Sequence, residues 1–284
     1  MPKVVIIGNG PAGISAALYV VRSKMDAIVI GTGESALKKA HKIDNYYGTG
    51  SMSGEDLFQN GIKQAKGLGV QLVEEEVVGI GFEDKLTVTT VDQKFIADAV
   101  IIATGTARKT PDIDGISKLE GKGVSYCATC DGFFFKGKKV GVLGNGQYAV
   151  HEAKELFPIV GDVTIFSNGN EVTDVPKDIK INKAVVKLID GVERVERVVT
   201  VDEEVQLDGI FVAEGIADSF GLARKVGAQV RDNKIVVNEK METNIPGLYA
   251  AGDCTGGMLQ VSKAVYEGSK AGTEAVKYIR ENNK

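Results

Sequence analysis

Two thiols and a carboxylate stand within five positions of one another, in Cys127-Ala128-Thr129-Cys130-Asp131. A C-x-x-C pair can close a local disulfide and open it again, and a helix start or a positive neighbour favours the thiolate. Asp131 is placed to hold and deliver a proton when the dithiol opens. The alternatives for the pair are a zinc site or two inert buried thiols. Zinc needs four ligands as a rule, and the sequence offers no second C-x-x-C and only His41 and His151 as histidines. The expected metal ligation is therefore none, and a redox pair is favoured over packing. Cys254 reads as a small packing residue behind a Gly252-Asp253 turn.

A second kind of chemistry lies in the glycines. Gly8-Asn9-Gly10-Pro11-Ala12-Gly13 is a G-x-G-x-x-G run between an apolar segment and an Ala-rich one. In such a run the first glycine permits a tight turn, the second lets backbone approach a pyrophosphate, and the third allows close helix packing. The helix that follows directs N–H groups and a positive dipole at phosphate. This context predicts dinucleotide binding. The acid that would meet an adenosine ribose is absent from Gly31-Thr32-Gly33, with Glu34 next in line.

The same pattern returns as Gly144-Asn145-Gly146-Gln147-Tyr148-Ala149. Its partner groups do not return with it. After the next apolar run stands Ser167-Asn168-Gly169-Asn170, with no acid closing the strand for an NAD ribose. There is also no arginine between Arg108 and Arg194 for a 2′-phosphate. Two readings stand: a scaffold that keeps the fold without a working nicotinamide site, which is favoured, and a working site with altered contacts.

These motifs need elements to hold them. Residues 4–7, 27–30, 99–103, 139–143, 163–166, 209–212, 234–237 and 248–251 read as short buried strands, and 70–82 and 86–91 as further strands, the latter alternating as a hairpin or edge would. Helices are expected over 14–22, from 147 to 156, and over 263–279. Strand, glycine turn, helix, strand opens a doubly wound sheet, and it occurs twice. The expected class is α/β with two Rossmann-like three-layer domains of the FAD/NAD(P)-binding type, the second inserted into the first. The linkers fall at 110–115 and 215–221. Residues 1–110 and 216–284 then form a discontinuous cofactor domain, and 111–215 a middle domain with the C-x-x-C and a degenerate nicotinamide-binding fold.

Composition narrows the class of function. With 284 residues, 43% hydrophobic and 25% charged, the chain is of ordinary globular make-up. A net charge of −4 argues against a nucleic-acid protein that relies on a broad positive field. No run reaches the length of a membrane span, and the opening apolar run is too short for a signal peptide. A cytoplasmic location is expected. Gly at 35 against Pro at 6 has no short period, so it reads as many tight turns.

Taken in order, the Gly8 fingerprint, Asn45-Tyr46-Tyr47-Gly48, Ala103-Thr104-Gly105, Cys127-Ala128-Thr129-Cys130-Asp131-Gly132 and the segment from Thr243 through Pro246-Gly247-Leu248-Tyr249-Ala250-Ala251-Gly252-Asp253 resemble the low-molecular-weight thioredoxin reductases. The resemblance covers nearly the whole chain. It implies FAD held by Gly8, Gly10, Pro11, Ala12, Gly13, Glu34, Asn45, Val77, Ala103, Thr104, Gly105, Gly252, Asp253 and Gln260. Asp253 would accept from a ribityl hydroxyl. The resemblance also implies that Cys130 faces the flavin, that Cys127 attacks the disulfide of thioredoxin, that Asp131 is the acid/base, and that the protein is a homodimer with a rotating middle domain.

Departures from the family pattern bear on the electron donor. The His-Arg-Arg type segment of NADPH-using members is replaced by Ser167-Asn168-Gly169-Asn170. The arginine before the flavin-contacting Gln260 is Leu259, and Ala217-Asp218-Ser219 stands for Pro-Asn-Thr. In this the chain resembles ferredoxin-dependent flavin thioredoxin reductases. Electrons are then expected to pass from ferredoxin through FAD and Cys127–Cys130 to thioredoxin, with Lys38, Lys39, Lys42, Arg108 and Lys109 as local positive charge for docking. Alternatives are an NADPH-dependent reductase with an altered pocket, a dithiol oxidase using FAD and oxygen, and a redox-sensing flavoprotein without turnover.

Overall fold

The computed structural model describes residues 2–33, 35–105, 111–126, 128–214 and 219–282, with backbone alone at 129, 130 and 219. In chain order the elements begin β1 (Lys3–Ile7), α1 (Pro11–Arg22), β2 (Asp26–Ile30), α2 (Gly54–Gly67), β3 (Gln71–Val73), β4 (Val77–Phe82), β5 (Leu86–Thr90), β6 (Lys94–Ala97) and β7 (Ala99–Ile102). Next come β8 (Val124–Ser125), α3 (Ala128–Asp131), β9 (Lys139–Leu143), α4 (Gln147–Val160), β10 (Asp162–Phe166), β11 (Lys180–Asn182), β12 (Val186–Asp190), β13 (Arg197–Thr200), β14 (Glu204–Gln206) and β15 (Gly209–Val212). The chain finishes with α5 (Ser219–Lys225), β16 (Val230–Arg231), β17 (Lys234–Ile235), β18 (Leu248–Ala250) and α6 (Val261–Asn282). Two compact units result: Met1–Ala107 with Asp218–Lys284, and Arg108–Ala217.

The first unit is built on a parallel sheet in the order β18-β7-β1-β2-β3. Val4, Val5, Ile6 and Ile7 are all buried, as are Val100, Ile101 and Ile102 beside them. A strand covered on both faces has no polar side to show, which is why these runs are continuously apolar. Strand order reverses at β1, with β2 and β3 on one side and β7 and β18 on the other. The crevice at such a reversal, outside the carboxyl ends of the strands, is where open α/β sheets bind ligands. A separate antiparallel sheet, β4-β5-β6, forms a further layer.

The second unit repeats the design with β11-β10-β9-β15-β8, all parallel, and its own antiparallel sheet β12-β13-β14. Its core gathers Leu143, Phe166, Ile189, Val198 and Ile210, while that of the first gathers Val4, Ile6, Val29, Ile101 and Tyr249.

The expected strand over 70–82 is two strands in two different sheets. Glu74, Glu75 and Glu76 separate them, and a triplet of acids cannot continue into a buried layer. The stretch 86–91 forms β5, hairpinned to both β4 and β6 as one of its two expectations had it, and so is the middle strand of its sheet and not an edge. The 234–237 strand shrinks to Lys234–Ile235 in a two-stranded ribbon with β16. The helix from 147 runs past 156 to Val160 and carries Pro158 in its last turn. It stops at Gly161, whose φ of 83° suits a left-handed cap. The last helix extends over Val261–Asn282, beyond the expected 263–279.

Helices α1 and α6 cross almost backbone to backbone. A β-carbon on Gly268 would lie 2.0 Å from the Ala12 carbonyl oxygen, and one on Gly272 2.5 Å from that of Ala16. Four-residue spacing on both helices lines small residues along one face of each. Gly268→Ala is expected to lower stability by roughly 1–3 kcal/mol through overpacking against fixed backbone. Gly67→Ala, at a helical site with nothing within 4 Å, should raise it by about 0.4–1 kcal/mol. Urea midpoints of the two variants against the parent chain measure both.

Candidate functional site

At the carboxyl edge of the first sheet the chain turns at Gly8, with φ 111°. A β-carbon there would stand 2.2 Å from the Ala103 carbonyl oxygen. Only glycine allows the turn after β1 to press against the turn after β7. Gly13 is as constrained, its β-carbon position lying 1.8 Å from the Gly8 carbonyl oxygen. Gly10 differs, because only the Ser35 hydroxyl lies near its β-carbon position, at 3.7 Å. Gly10 also caps α1 without a side-chain hydrogen bond, and Pro11 is the first helical residue. The helix therefore presents backbone N–H groups to an open space, which is the geometry that receives phosphate.

Other sequence-selected residues join this edge. Ala103, Thr104 and Gly105 follow β7, and the Thr104 hydroxyl oxygen is buried with no hydrogen-bond partner. Asn45 donates from Nδ2 to Gln260 Oε1 at 3.0 Å, joining residues far apart in the chain. Gly252 follows β18 with φ 86° and ψ −154°, a region open only to glycine, and leads into Asp253. Burial raises the Asp253 carboxyl above its usual range; nearby Lys263 opposes this and Glu267 adds to it. Val77, by contrast, is buried at the start of β4 in the antiparallel sheet. Glu34 lies outside the described residues. Behind the turn Cys254 is fully buried, its thiol 3.3 Å from the Ala251 carbonyl oxygen, and burial pushes it up to about 12. That is an unreactive cysteine.

In the second unit the backbone of Ala128–Asp131 forms one helical turn. Cys127 lies outside the described residues, as does the Cys130 side chain. Asp131 accepts from the Ser125 hydroxyl at 2.6 Å. The Ala128 N–H donates to Glu152 Oε2 at 2.8 Å, and Glu152 is 1% exposed on α4. Sequence reasoning missed Glu152; the available signal was a charged residue on the apolar face of α4. Phe133 and Phe134, directly after the turn, are 73% and 71% exposed.

The second glycine fingerprint keeps its backbone. A β-carbon on Gly144 would lie 2.2 Å from the Ala213 carbonyl oxygen, matching Gly8 and Ala103. The loop beyond β10 is closed on itself. Ser167 Oγ donates to the Asn170 carbonyl at 2.6 Å, and Asn168 Oδ1 accepts from the Val186 N–H at 2.9 Å. Gln147, the first residue of α4, donates to Asp174 at 3.1 Å. Lys183 pairs with Glu171 at 2.6 Å, and Arg197 with Asp190 and Glu204. Of the lysines expected as a positive patch near residue 40, Lys38 and Lys42 have acidic neighbours. Lys42 pairs with Asp44 at 2.8 Å, and Lys38 stands 3.6 Å from Glu55 and over the Phe58 ring. Arg108 and Lys109 lie outside the described residues. Among those residues no group of His, Cys, Asp and Glu could hold a metal ion, and no helix is long and apolar enough to cross a membrane.

The model of the family described as "Pyridine nucleotide-disulphide oxidoreductase" matches residues 2–268. A thioredoxin reductase of Listeria innocua is 34% identical over 302 residues, covering 98% of this chain and 94% of that protein. The crystal structure of an atypical thioredoxin reductase from Desulfovibrio vulgaris Hildenborough superposes with a TM-score of 0.93 at 35% identity, covering 99% of both chains. A ferredoxin-flavin thioredoxin reductase from Clostridium acetobutylicum gives 0.73 at 32%, covering 99% of this chain and 98% of that one.

FAD is the cofactor that these relationships give the chain, and the first unit fits it. The open N-terminus of α1 suits a pyrophosphate, and the buried Thr104 hydroxyl has no hydrogen-bond partner among the described residues. Thr104→Val should leave apo-protein stability unchanged or slightly higher, since a buried hydroxyl without a partner is removed. It should weaken FAD binding by about 0.5–1.5 kcal/mol, the worth of one hydrogen bond. Urea unfolding of the apo-protein and fluorescence titration with FAD separate the two effects.

Proposed function

The chain belongs to the pyridine nucleotide-disulphide oxidoreductase family, and from that membership we propose that it is an FAD-dependent thioredoxin reductase working as a homodimer. The observation that carries the reading is the pairing, in one chain, of the Gly8–Ala103 cradle with a C-x-x-C turn whose Asp131 is held by Ser125. Gly8, Gly10, Gly13, Thr104 and Asp253 would hold FAD in the first unit, and FAD when bound would supply the electron pair that opens the Cys127–Cys130 disulfide. Cys127 as thiolate attacks the disulfide of oxidised thioredoxin, forming a mixed disulfide and releasing one thiolate. Cys130 then attacks Cys127, closing the intramolecular disulfide and releasing the second thiolate. Asp131 takes the proton that Cys130 loses and passes it to a departing partner thiolate, and solvent protonates the other. Two electrons and two protons have then reached the partner. The exposed Phe133 and Phe134 give an apolar contact for a protein substrate beside the thiols.

For the electron donor, a reduced pyridine nucleotide has the broader support. The family description names one, and thioredoxin reductases such as that of Listeria match over nearly the whole chain. The closed, neutral 167–170 loop offers no guanidinium for a 2′-phosphate, so binding should be weak and nearly indifferent between NADPH and NADH. Ferredoxin is the second reading, favoured by that same loop and by the likeness to the Clostridium structure.

Anaerobic titration of the oxidised protein with NADPH, NADH and reduced ferredoxin, followed by flavin absorbance, tests both. Bleaching by either nucleotide at stoichiometric amounts supports the first donor, and bleaching by ferredoxin alone replaces it with the second. Cys127→Ser should abolish thioredoxin reduction while flavin bleaching by the donor persists. Retained turnover with thioredoxin in that variant would overturn the assigned order of the thiols.

A further inference from the structure

Helix α6 begins at Val261, so Lys263 sits in its first turn. A cation there opposes the helix dipole, which favours acids at that end. The order Lys263 then Glu267 is also the weaker direction for an i,i+4 pair. Helix stability therefore gives no reason for either residue. Their surroundings do. The side chains are only 14% and 12% exposed, and Lys263 Nζ stands 3.0 Å from Glu267 Oε2.

Both ends of the pair grip the turn after β18. Lys263 Nζ donates to the Gly252 carbonyl oxygen at 2.7 Å and to Thr255 Oγ1 at 2.9 Å. Glu267 Oε2 accepts from the Gly252 N–H at 2.8 Å and lies 2.9 Å from Thr255 Oγ1. The donor and the acceptor of one glycine are thus both held by opposite charges. That glycine has the glycine-only conformation noted above and immediately precedes Asp253.

We propose that Lys263 and Glu267 are positioning residues that fix the Gly252–Asp253 turn against bound FAD and, through their balanced charge, set the flavin's reduction potential. The proposal rests on the FAD reading of the first unit. Reduction places negative charge on the flavin, and groups in a poorly solvated turn act on that charge with little screening. Removing the lysine charge leaves Glu267 alone and disfavours the reduced form. Removing the glutamate charge leaves Lys263 alone and favours it.

The test measures FAD affinity by fluorescence titration and flavin potential by anaerobic dye equilibration in Lys263→Gln, Glu267→Gln, the double variant and Lys263→Arg. Both single variants should bind FAD about tenfold more weakly. Their reduction equilibria should move about tenfold in opposite directions, lower for Lys263→Gln and higher for Glu267→Gln, which is about 30 mV each for a two-electron couple. The double variant should return to the parent potential while still binding weakly, and Lys263→Arg should recover much of both properties. Unchanged affinity and potential in the singles would overturn the proposal. So would displacement in one common direction, which is what a purely structural disturbance produces. Folding is read independently from far-ultraviolet circular dichroism, and should one single variant fail to fold, the Lys263→Arg and double variants decide by the same criteria. Failure of the parent chain to bind FAD would instead remove the cofactor reading beneath it.

Discussion

Gly8 stands so close to Ala103 that no side chain of any size fits between the turn after β1 and the turn after β7. That approach closes the gap at the point where the sheet order reverses. It fixes where α1 starts, and so the direction in which its free N–H groups face. It also places Thr104 at the rim with an unsatisfied hydroxyl. The same separation recurs between Gly144 and Ala213 in the second unit. One backbone constraint thus generates both crevices, and what differs between them is the side chains set around an equivalent turn.

Those side chains divide the work. The helix after each glycine run starts without a side-chain cap, and in the first unit an orphaned hydroxyl and a glycine with space beside it are left open as well. In the second, the corresponding rim is occupied by its own contacts, with Gln147 on Asp174 and the 167–170 loop folded back on itself. A crevice that satisfies its own polar groups has less to gain from a ligand, because each contact made must replace one already present. The chemistry of the second unit is concentrated instead at the C-x-x-C turn, where a buried carboxylate, Glu152, holds the backbone of Ala128.

Much of this was legible in the sequence because glycine spacing and β-branched runs are local signals. The strands at 139–143 and 209–212 lie where the pattern placed them, since a parallel strand buried on both faces advertises itself by composition alone. The 70–82 stretch was misread because two short strands of different sheets abut in sequence, and periodicity carries no information about which sheet a residue enters. Glu152 and the Lys263–Glu267 pair were missed for a related reason. Each acts on backbone groups brought near by tertiary folding, and a charge on a helix gives no sign of which turn it will meet. The positive patch around Lys38 and Lys42 was legible as charge, but its neutralising partners Glu55 and Asp44 became assignable only in three dimensions.

The near contact of α1 with α6 has a temporal meaning. The first glycine run leaves the ribosome before the second unit, yet β18 and α6, which complete its sheet and bury its helix, come only after the whole second unit has been made. Until then Ala12 and Ala16 lack the glycines they pack against, and the turn bearing Asp253 does not exist. The nascent chain can fold its inserted unit as a contiguous piece, but the crevice at Gly8 is finished last. Capture of a dinucleotide there has to wait until α6 has been made.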